Sequence, residues 1–138
     1  MLLVENHHTY WSLLRWNTTA RKYASIAYVS GNTYANAGKA LADAMQRANV
    51  KQAEHFGDID PEGLRIGVTM CTYLKEHGMP ALRPAAALYR WLFDHGRRRS
   101  FAGEPPTASA AALGWLGEAL GLRARALCSK GIGVPHDR

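Results

Sequence analysis

Short apolar runs alternate with longer amphipathic stretches over the first two thirds of the chain. Three of the short runs have the length and the bounding turn residues of a strand: residues 1–4, 25–30 and 51–57. The first run is apolar throughout, which is typical of a strand buried on both faces of a parallel sheet. Strands separated by helices predict such a sheet, with helices on both faces.

Between these runs, apolar residues recur every three or four positions, as on one face of a helix. Residues 34–49 form one such stretch. A second helix is predicted from Asp60 and Pro61, a capping residue followed by a first-turn proline, to Gly78. Residues 10–16 predict a short helix or a packed loop. The pattern thus predicts the order strand, helix, strand, helix, strand, helix, followed by further helices.

The remaining chain is predicted to be mostly helical. We expect a fourth strand at residues 85–89, a polar loop at 97–106, an irregular end at 131–138, and helices at 89–95, 107–120 and 122–129, with Gly121 between the last two. No repeat or linker divides the sequence. We therefore predict a single α/β domain over residues 1–138, with a core at about 1–95 and C-terminal helices at about 107–130.

Composition and charge narrow the functional classes. The 138 residues are 47% hydrophobic and 20% charged, which excludes a disordered tail, a collagen-like repeat and a disulfide scaffold. No apolar run approaches the length of a membrane helix, and the first residues do not resemble a signal peptide. The two cysteines lack metal-ligand spacing, so we expect reduced thiols in a cytoplasmic protein. A net charge of +6 favours binding to polyanions, although a solvated basic face without a nucleic-acid role fits as well.

Acidic side chains follow two of the predicted strands. Glu5 follows the first strand, and Asp58 and Asp60 follow the third. Functional groups of open parallel sheets gather past the carboxyl ends of strands, and hard cations such as magnesium bind carboxylate oxygens. Crowded carboxylates repel one another unless a cation is present, so the pattern suggests a metal site. The other interpretation is local: Asp60 as a helix cap, Asp58 as a turn residue and Glu5 as a polar strand end.

Two motifs resemble TOPRIM domains. Residues 56–66, FGDIDPEGLRI, resemble the "GD-hydrophobic-D-x-x-G" signature, and residues 2–6, LLVEN, resemble the first-strand "V-E-N" motif. Residues 30–32, SGN, are similar to the glycine-containing turn between the two. The likeness is to the A subunit of topoisomerase VI, its meiotic relatives and the nuclease component of the Wadjet plasmid-defence system. The resemblance is specific over residues 2–66 and becomes vague beyond about residue 88.

The resemblance implies a compact Rossmann-like sheet of about four parallel strands and a site that acts on the DNA backbone. Carried over by motif, Asp58 and Asp60 would hold Mg²⁺ or Mn²⁺, and Glu5 would be a further metal ligand or a general acid/base. Glu62 lies beside them outside the triad positions and is a weaker candidate. One metal ion or two are both compatible with these residues.

The chain departs from the family in two places. Topoisomerase-type relatives carry a nucleophilic tyrosine in an upstream DNA-binding domain, and no tyrosine here matches that motif, so we predict no covalent tyrosyl intermediate. Wadjet-type relatives often have a glutamine–glutamate pair near the C-terminus. Here Pro135, His136 and Asp137 stand in that region, and Asp137 is a weak substitute. Both an excised catalytic domain and a short stand-alone protein are consistent with the sequence.

The arginines, tryptophans and histidines each have a possible functional role and a simpler structural one. The run Arg97, Arg98 and Arg99 is a candidate DNA track, because arginines neutralise phosphates, although a solvated loop fits as well. The tryptophans lie in apolar helical segments, so we expect them in the core rather than stacked on bases. His55 is expected to pack in the interior or to form a hydrogen bond. The sequence around His136 has no spacing that indicates a partner residue.

The sequence therefore predicts a TOPRIM-type, Mg²⁺- or Mn²⁺-dependent DNA nuclease with Glu5, Asp58 and Asp60 at its centre. Its expected partners are DNA and other domains or subunits of a larger plasmid-defence or topoisomerase-like assembly, without a membrane. The alternative is a non-catalytic DNA-binding or assembly module that retains the fold. A third, weaker hypothesis is phosphoryl transfer on small molecules.

Overall fold

A four-stranded parallel sheet forms the centre of the protein. The computed structural model describes residues 1–29, 34–101 and 108–136. The strands are β1 (Leu2–Val4), β2 (Ile26–Tyr28), β3 (Ala53–Phe56) and β4 (Leu82–Pro84), and their order across the sheet is β2-β1-β3-β4. In the register of the central pair, Val4 lies opposite Phe56. The predicted α/β fold class, a Rossmann-like parallel sheet with flanking helices, is confirmed.

Six helices flank the sheet in the described residues. They are α1 (His7–Ala20), α2 (Tyr34–Arg47), α3 (Pro61–Glu76), α4 (Ala86–His95), α5 (Ala110–Leu116) and α6 (Glu118–Cys128). A two-stranded antiparallel ribbon joins β5 (Arg99–Ser100) to β6 (Ile132–Gly133). None of the described helices is long and apolar enough to cross a membrane.

The sheet separates two hydrophobic clusters, because successive strand residues point to opposite faces. Leu2 and Val4 pack with side chains of α4, α5 and α6 on one face. Leu3 and Ala53 pack with side chains of α2 and α3 on the other. A strand as short as β1 is therefore fully buried, with Leu2, Leu3 and Val4 each at most 1% exposed. This explains why its sequence is continuously apolar.

The fourth strand lies earlier in the sequence than predicted. It is Leu82–Pro84, and the residues assigned to it from the sequence begin α4 instead. Pro84 is tolerated because β4 is at the edge of the sheet. Proline has no backbone N–H, and on the open side of an edge strand no further strand needs one as a donor. The alanines after it favour a helix.

Two further predictions about the C-terminal half are wrong in detail. The helix break is at Gly117, with φ of 88°, and not at Gly121, which is buried within α6. A Cβ atom at Gly121 would lie 2.6 Å from the carbonyl oxygen of Leu113, so this glycine permits the close approach of α5 and α6. The end of the chain, predicted to be irregular, contains β6. In the N-terminal half, residues 10–16, predicted as a short helix or a packed loop, belong to the longer helix α1.

Candidate functional site

The predicted acidic residues follow adjacent strands at the carboxyl end of the sheet. Glu5 comes directly after β1, and its N–H donates to the carbonyl of Phe56, the last residue of β3, over 3.4 Å. Asp58 and Asp60 are in the loop that leads from β3 into α3. Because β1 and β3 are neighbours and parallel, their carboxyl ends bring these side chains to one edge.

The loop after β3 is shaped by the start of α3. Asp60 is the N-cap, and its Oδ1 accepts from the N–H of Gly63 at 2.7 Å, with Pro61 at the first helical position. The predicted cap is therefore confirmed. Gly63 has a second role, because a Cβ atom there would lie 2.5 Å from the carbonyl oxygen of Asp58. The glycine that ends the D-x-x-G spacing lets the helix pass this close to the acidic loop.

Gly57 makes room for the Glu5 carboxylate. A Cβ atom at Gly57 would lie 2.7 Å from Oε1 of Glu5 and 3.0 Å from Oε2. The side chain of Glu5 is only 12% exposed. Its Oε1 is 2.7 Å from Nε2 of the buried His55, a close polar contact, but no described group makes a hydrogen bond of regular geometry to this buried oxygen.

The acidic side chains repel one another. Burial raises the pKa of Asp60 above its ordinary value, and the negative charges of Asp58, Glu5 and Glu62 raise it further, against the lowering effect of the Gly63 N–H. The charges that act on Asp60 thus place Asp58, Glu5 and Glu62 within electrostatic range of it. Glu62 itself is exposed and pairs with Arg65, which keeps its pKa below the ordinary value.

Asp58 has the opposite pKa shift. Burial would raise its pKa, but the hydrogen bonds from His136, the charge of that ring when protonated and, last, the charge of Arg99 outweigh burial and lower it. The backbone N–H of His136 donates to Oδ1 of Asp58 at 2.8 Å, and Nδ1 of the same ring also bonds to this oxygen. Asp58 is therefore held in its ionised form by the C-terminal segment of the chain.

The sequence did not single out His136 as a site residue. It contacts Asp58 across 78 positions, and no spacing rule connects them. The contact depends on an antiparallel bridge in which Ile59 and Val134 exchange two hydrogen bonds, each 2.9 Å long. Tyr89 is a second residue without a sequence signal: it is fully buried, and its hydroxyl accepts from the N–H of Gly57 at 3.0 Å.

The arginine run lies beside this loop. Arg99 belongs to β5, and its charge acts on Asp58. Arg97, Arg98 and Arg99 are all exposed, as a DNA track requires. The glycine-containing turn at residues 30–32 and Asp137 lie outside the described residues.

Three of the four tryptophans are not in the core, contrary to expectation. Trp11, Trp16 and Trp91 are 51%, 42% and 51% exposed, respectively. Trp115 is partly buried, and its indole N–H donates to the carbonyl of Leu82 at 2.9 Å. The helical pattern identified an apolar face, but α1 and α4 carry more large apolar residues than their contacts with the sheet can cover.

The carboxylate oxygens of Glu5, Asp58 and Asp60 are ligands of the type that hard cations bind, although these side chains also have partners within the protein. In the described residues, no group of three His, Cys, Asp or Glu side chains is arranged to hold a metal ion. Asp58 bonds to His136, Asp60 caps α3, and Glu5 faces His55. Mutual repulsion and a buried, unsatisfied Glu5 oxygen are nonetheless the features that a bound Mg²⁺ or Mn²⁺ would relieve.

In comparisons with known proteins, no family model, curated protein or solved structure matches this chain.

Proposed function

We propose that the protein is a Mg²⁺- or Mn²⁺-dependent DNA phosphodiesterase of the TOPRIM type. The observation that carries the proposal is the gathering of Glu5, Asp58 and Asp60 at the carboxyl end of two adjacent parallel strands, where their charges repel. A fold that accepts this repulsion in partly buried positions is suited to binding a cation there.

In this proposal, Asp58 and Asp60 hold the metal, and Glu5 is a further ligand or a general acid/base. A bound Mg²⁺ or Mn²⁺ would polarise the phosphate, activate water and stabilise the leaving oxygen. The protein supplies the orientation of the carboxylates: α3 is capped by one aspartate, and the C-terminal segment holds the other. Gly57 and Gly63 keep the space that these groups need.

DNA is a suitable partner because the protein is positively charged and has exposed aromatic rings near this edge of the sheet. The chain carries a net charge of +6, and Arg99 lies beside Asp58. Exposed rings flank the start of α1: Tyr28 is 5.6 Å from the His7 ring, and the Trp11 indole N–H donates to His7 at 3.0 Å. Exposed aromatic rings stack on bases, and arginines neutralise phosphates.

Metal binding is tested first by thermal unfolding with and without Mn²⁺. We expect Mn²⁺ to raise the melting temperature of the wild type, because a ligand that binds only the folded state stabilises it. Glu5→Gln keeps the size of the side chain and removes its charge, so most of the Mn²⁺-induced shift should be lost. Glu76→Gln, an identical change at an exposed position late in α3, is the matched control and should keep the shift.

Cleavage is then measured on plasmid DNA with Mn²⁺, with a chelator, and with a small phosphate ester in place of DNA. Cleavage of plasmid that the chelator and Glu5→Gln both abolish supports the proposal. Hydrolysis of the ester without DNA cleavage would instead indicate small-molecule phosphoryl transfer.

The second candidate is a non-catalytic DNA-binding or assembly module. The observation that favours it is that Asp58 and Asp60 already have partners within the protein. Salt-sensitive DNA binding without a melting-temperature shift from Mg²⁺ or Mn²⁺ would support this module and contradict the nuclease.

A further inference from the structure

Two buried histidines face the carboxylates of the candidate site. His55 is 2% exposed and His136 is 5% exposed. Buried polar groups are nearly always hydrogen-bonded, because an unpaired one loses its water without compensation. Each of these rings has one nitrogen directed at an acidic side chain and the other at a different group. The second contact of each ring determines where its proton is.

The His136 ring has its proton on Nδ1. Its Nε2 is 3.1 Å from the backbone nitrogen of Asn6, which can only donate, so Nε2 accepts and carries no proton. Nδ1 therefore donates to Oδ1 of Asp58. The ring is fixed by an edge-to-face contact with Phe56, and the hydroxyl of Thr9 donates to the His136 carbonyl at 2.6 Å. Neither the ring nor its backbone is free to turn away from Asp58.

The His55 ring has the opposite tautomer. The buried hydroxyl of Tyr89 accepts from the N–H of Gly57, and its own proton also needs an acceptor, which Nδ1 of His55, 3.5 Å away, is placed to supply. Nδ1 then accepts, and Nε2 carries the proton on the side of Glu5, whose Oε1 is 2.7 Å away in a close polar contact without regular hydrogen-bond geometry. Trp115 contacts the ring edge-to-face with centroids 5.7 Å apart, which restricts its rotation.

We infer that His55 and His136 are positioning residues that orient Glu5 and Asp58 through opposite tautomers, Nε2–H in His55 and Nδ1–H in His136. The inference rests on the proposed function for its purpose. A neutral imidazole donor fixes the direction of a carboxylate without neutralising it, so the negative charge stays available to a cation. Groups that orient metal ligands in this way contribute to metal affinity although they do not touch the ion.

Paired asparagine and glutamine substitutions test this assignment. The amide nitrogen of asparagine takes a position close to Nδ1 of histidine, and that of glutamine a position close to Nε2. His136→Asn and His55→Gln should therefore keep the donor, whereas His136→Gln and His55→Asn should misplace it. The measurement is the Mn²⁺ dissociation constant, from the electron paramagnetic resonance signal of free Mn²⁺, for all four variants and the wild type.

We expect the two misplaced variants to bind Mn²⁺ roughly 10- to 100-fold more weakly than the wild type, and the two matched variants to stay closer to it. Equal losses for both substitutions at each position would overturn the inference, because a role in packing does not distinguish the two donor positions. Circular dichroism of every variant shows which ones are folded and can be compared.

A second measurement separates this inference from the proposed function. Long-range ¹H–¹⁵N spectra of histidine-labelled wild type, recorded near neutral pH without metal, report the tautomer of each ring. Nε2–H for His55 and Nδ1–H for His136 support the assignment, and any other combination overturns it. If the wild type does not bind Mn²⁺, the metal-dependent function fails while the spectra still decide the tautomers.

Discussion

The two ends of the parallel sheet differ in what they bury. Apart from the hydroxyls of Tyr23 and Tyr89, the buried polar side chains in the described residues are Thr9, His55 and His136, and these three lie at the carboxyl end, in contact with the acidic residues or with one another. At the amino end, a cleft of about 760 Å³ is lined by loop residues and by exposed cations such as Lys51 and Arg83. This cleft also contains the buried hydroxyl of Tyr23, but no buried histidine of the described residues lies there.

Buried imidazoles in contact with carboxylates therefore mark the candidate site better than cavity size does. Removing an imidazole or a carboxylate from water is costly, so a fold concentrates such groups only where their contacts compensate. Solvated lysines and arginines around a cleft cost little and indicate little. Substitutions at both ends of the sheet test whether the carboxyl end is the functional one.

The largest effect is expected from Gly63→Ala. The new Cβ atom would lie 2.5 Å from the backbone carbonyl oxygen of Asp58, and a carbonyl between β3 and α3 cannot move without displacing the acidic loop. We expect a loss of roughly 2–3 kcal/mol in the free energy of unfolding, measured by urea denaturation.

Gly114→Ala is the control for this substitution. Gly114 is exposed within α5, and a Cβ atom added there would have no neighbouring atom within 4 Å, so alanine should stabilise the helix by roughly 0.5–1 kcal/mol. Equal stability of the two variants would show that the loop is not tightly constrained.

A smaller loss is expected from Asp58→Ala. It leaves the two His136 donors without their acceptor in a partly buried place, which should cost roughly 1–2 kcal/mol. Asp60→Ala loses the cap, worth about 1 kcal/mol, but also relieves the repulsion from Asp58 and Glu5. Thermal unfolding of both variants should therefore show the larger destabilisation for Asp58→Ala, and the reverse order would contradict the His136 contact.

The two aspartates should also give opposite pH dependences. The pKa of Asp58 is lowered, so its contribution to stability is complete above the ordinary value of 3.8 and is lost as pH falls below it. The pKa of Asp60 is raised, so its charge opposes folding at neutral pH, and stability is regained as pH falls through the raised pKa towards 3.8.

The measurement is the free energy of unfolding between pH 7 and pH 3 for the wild type, Asp58→Asn and Asp60→Asn. Relative to Asp60→Asn, the wild type should gain stability as pH falls towards about 4. Relative to Asp58→Asn, it should lose stability only below about pH 4. Parallel curves for all three proteins would show that neither pKa is shifted.

The smallest effects on stability are expected from exposed cations. Arg99→Ala, near Asp58, and Arg83→Ala, at the amino-end cleft, should each change the free energy of unfolding by less than about 0.5 kcal/mol. Only Arg99→Ala should weaken DNA binding and reduce the slope of log affinity against log salt by about 1. An equal change for Arg83→Ala would mean that DNA does not prefer the carboxyl end.

Local sequence patterns determined much of the framework. A continuously apolar strand, the period of the helices and the Asp60–Pro61 start of α3 all follow from interactions within a few residues, and the structure bears them out. The position of Glu5, Asp58 and Asp60 at the carboxyl edge followed once the strands were parallel, because parallel strands end at the same side of a sheet. These features need no knowledge of distant contacts.

Tertiary structure decided what those groups touch. Whether Pro84 could belong to a strand depended on β4 lying at the sheet edge. Whether Trp11 was buried depended on how much of α1 the sheet could cover. The partner of Asp58 came from 78 residues away, through the bridge between Ile59 and Val134. Such contacts arise from the packing of elements far apart in the chain, and no short-range spacing records them.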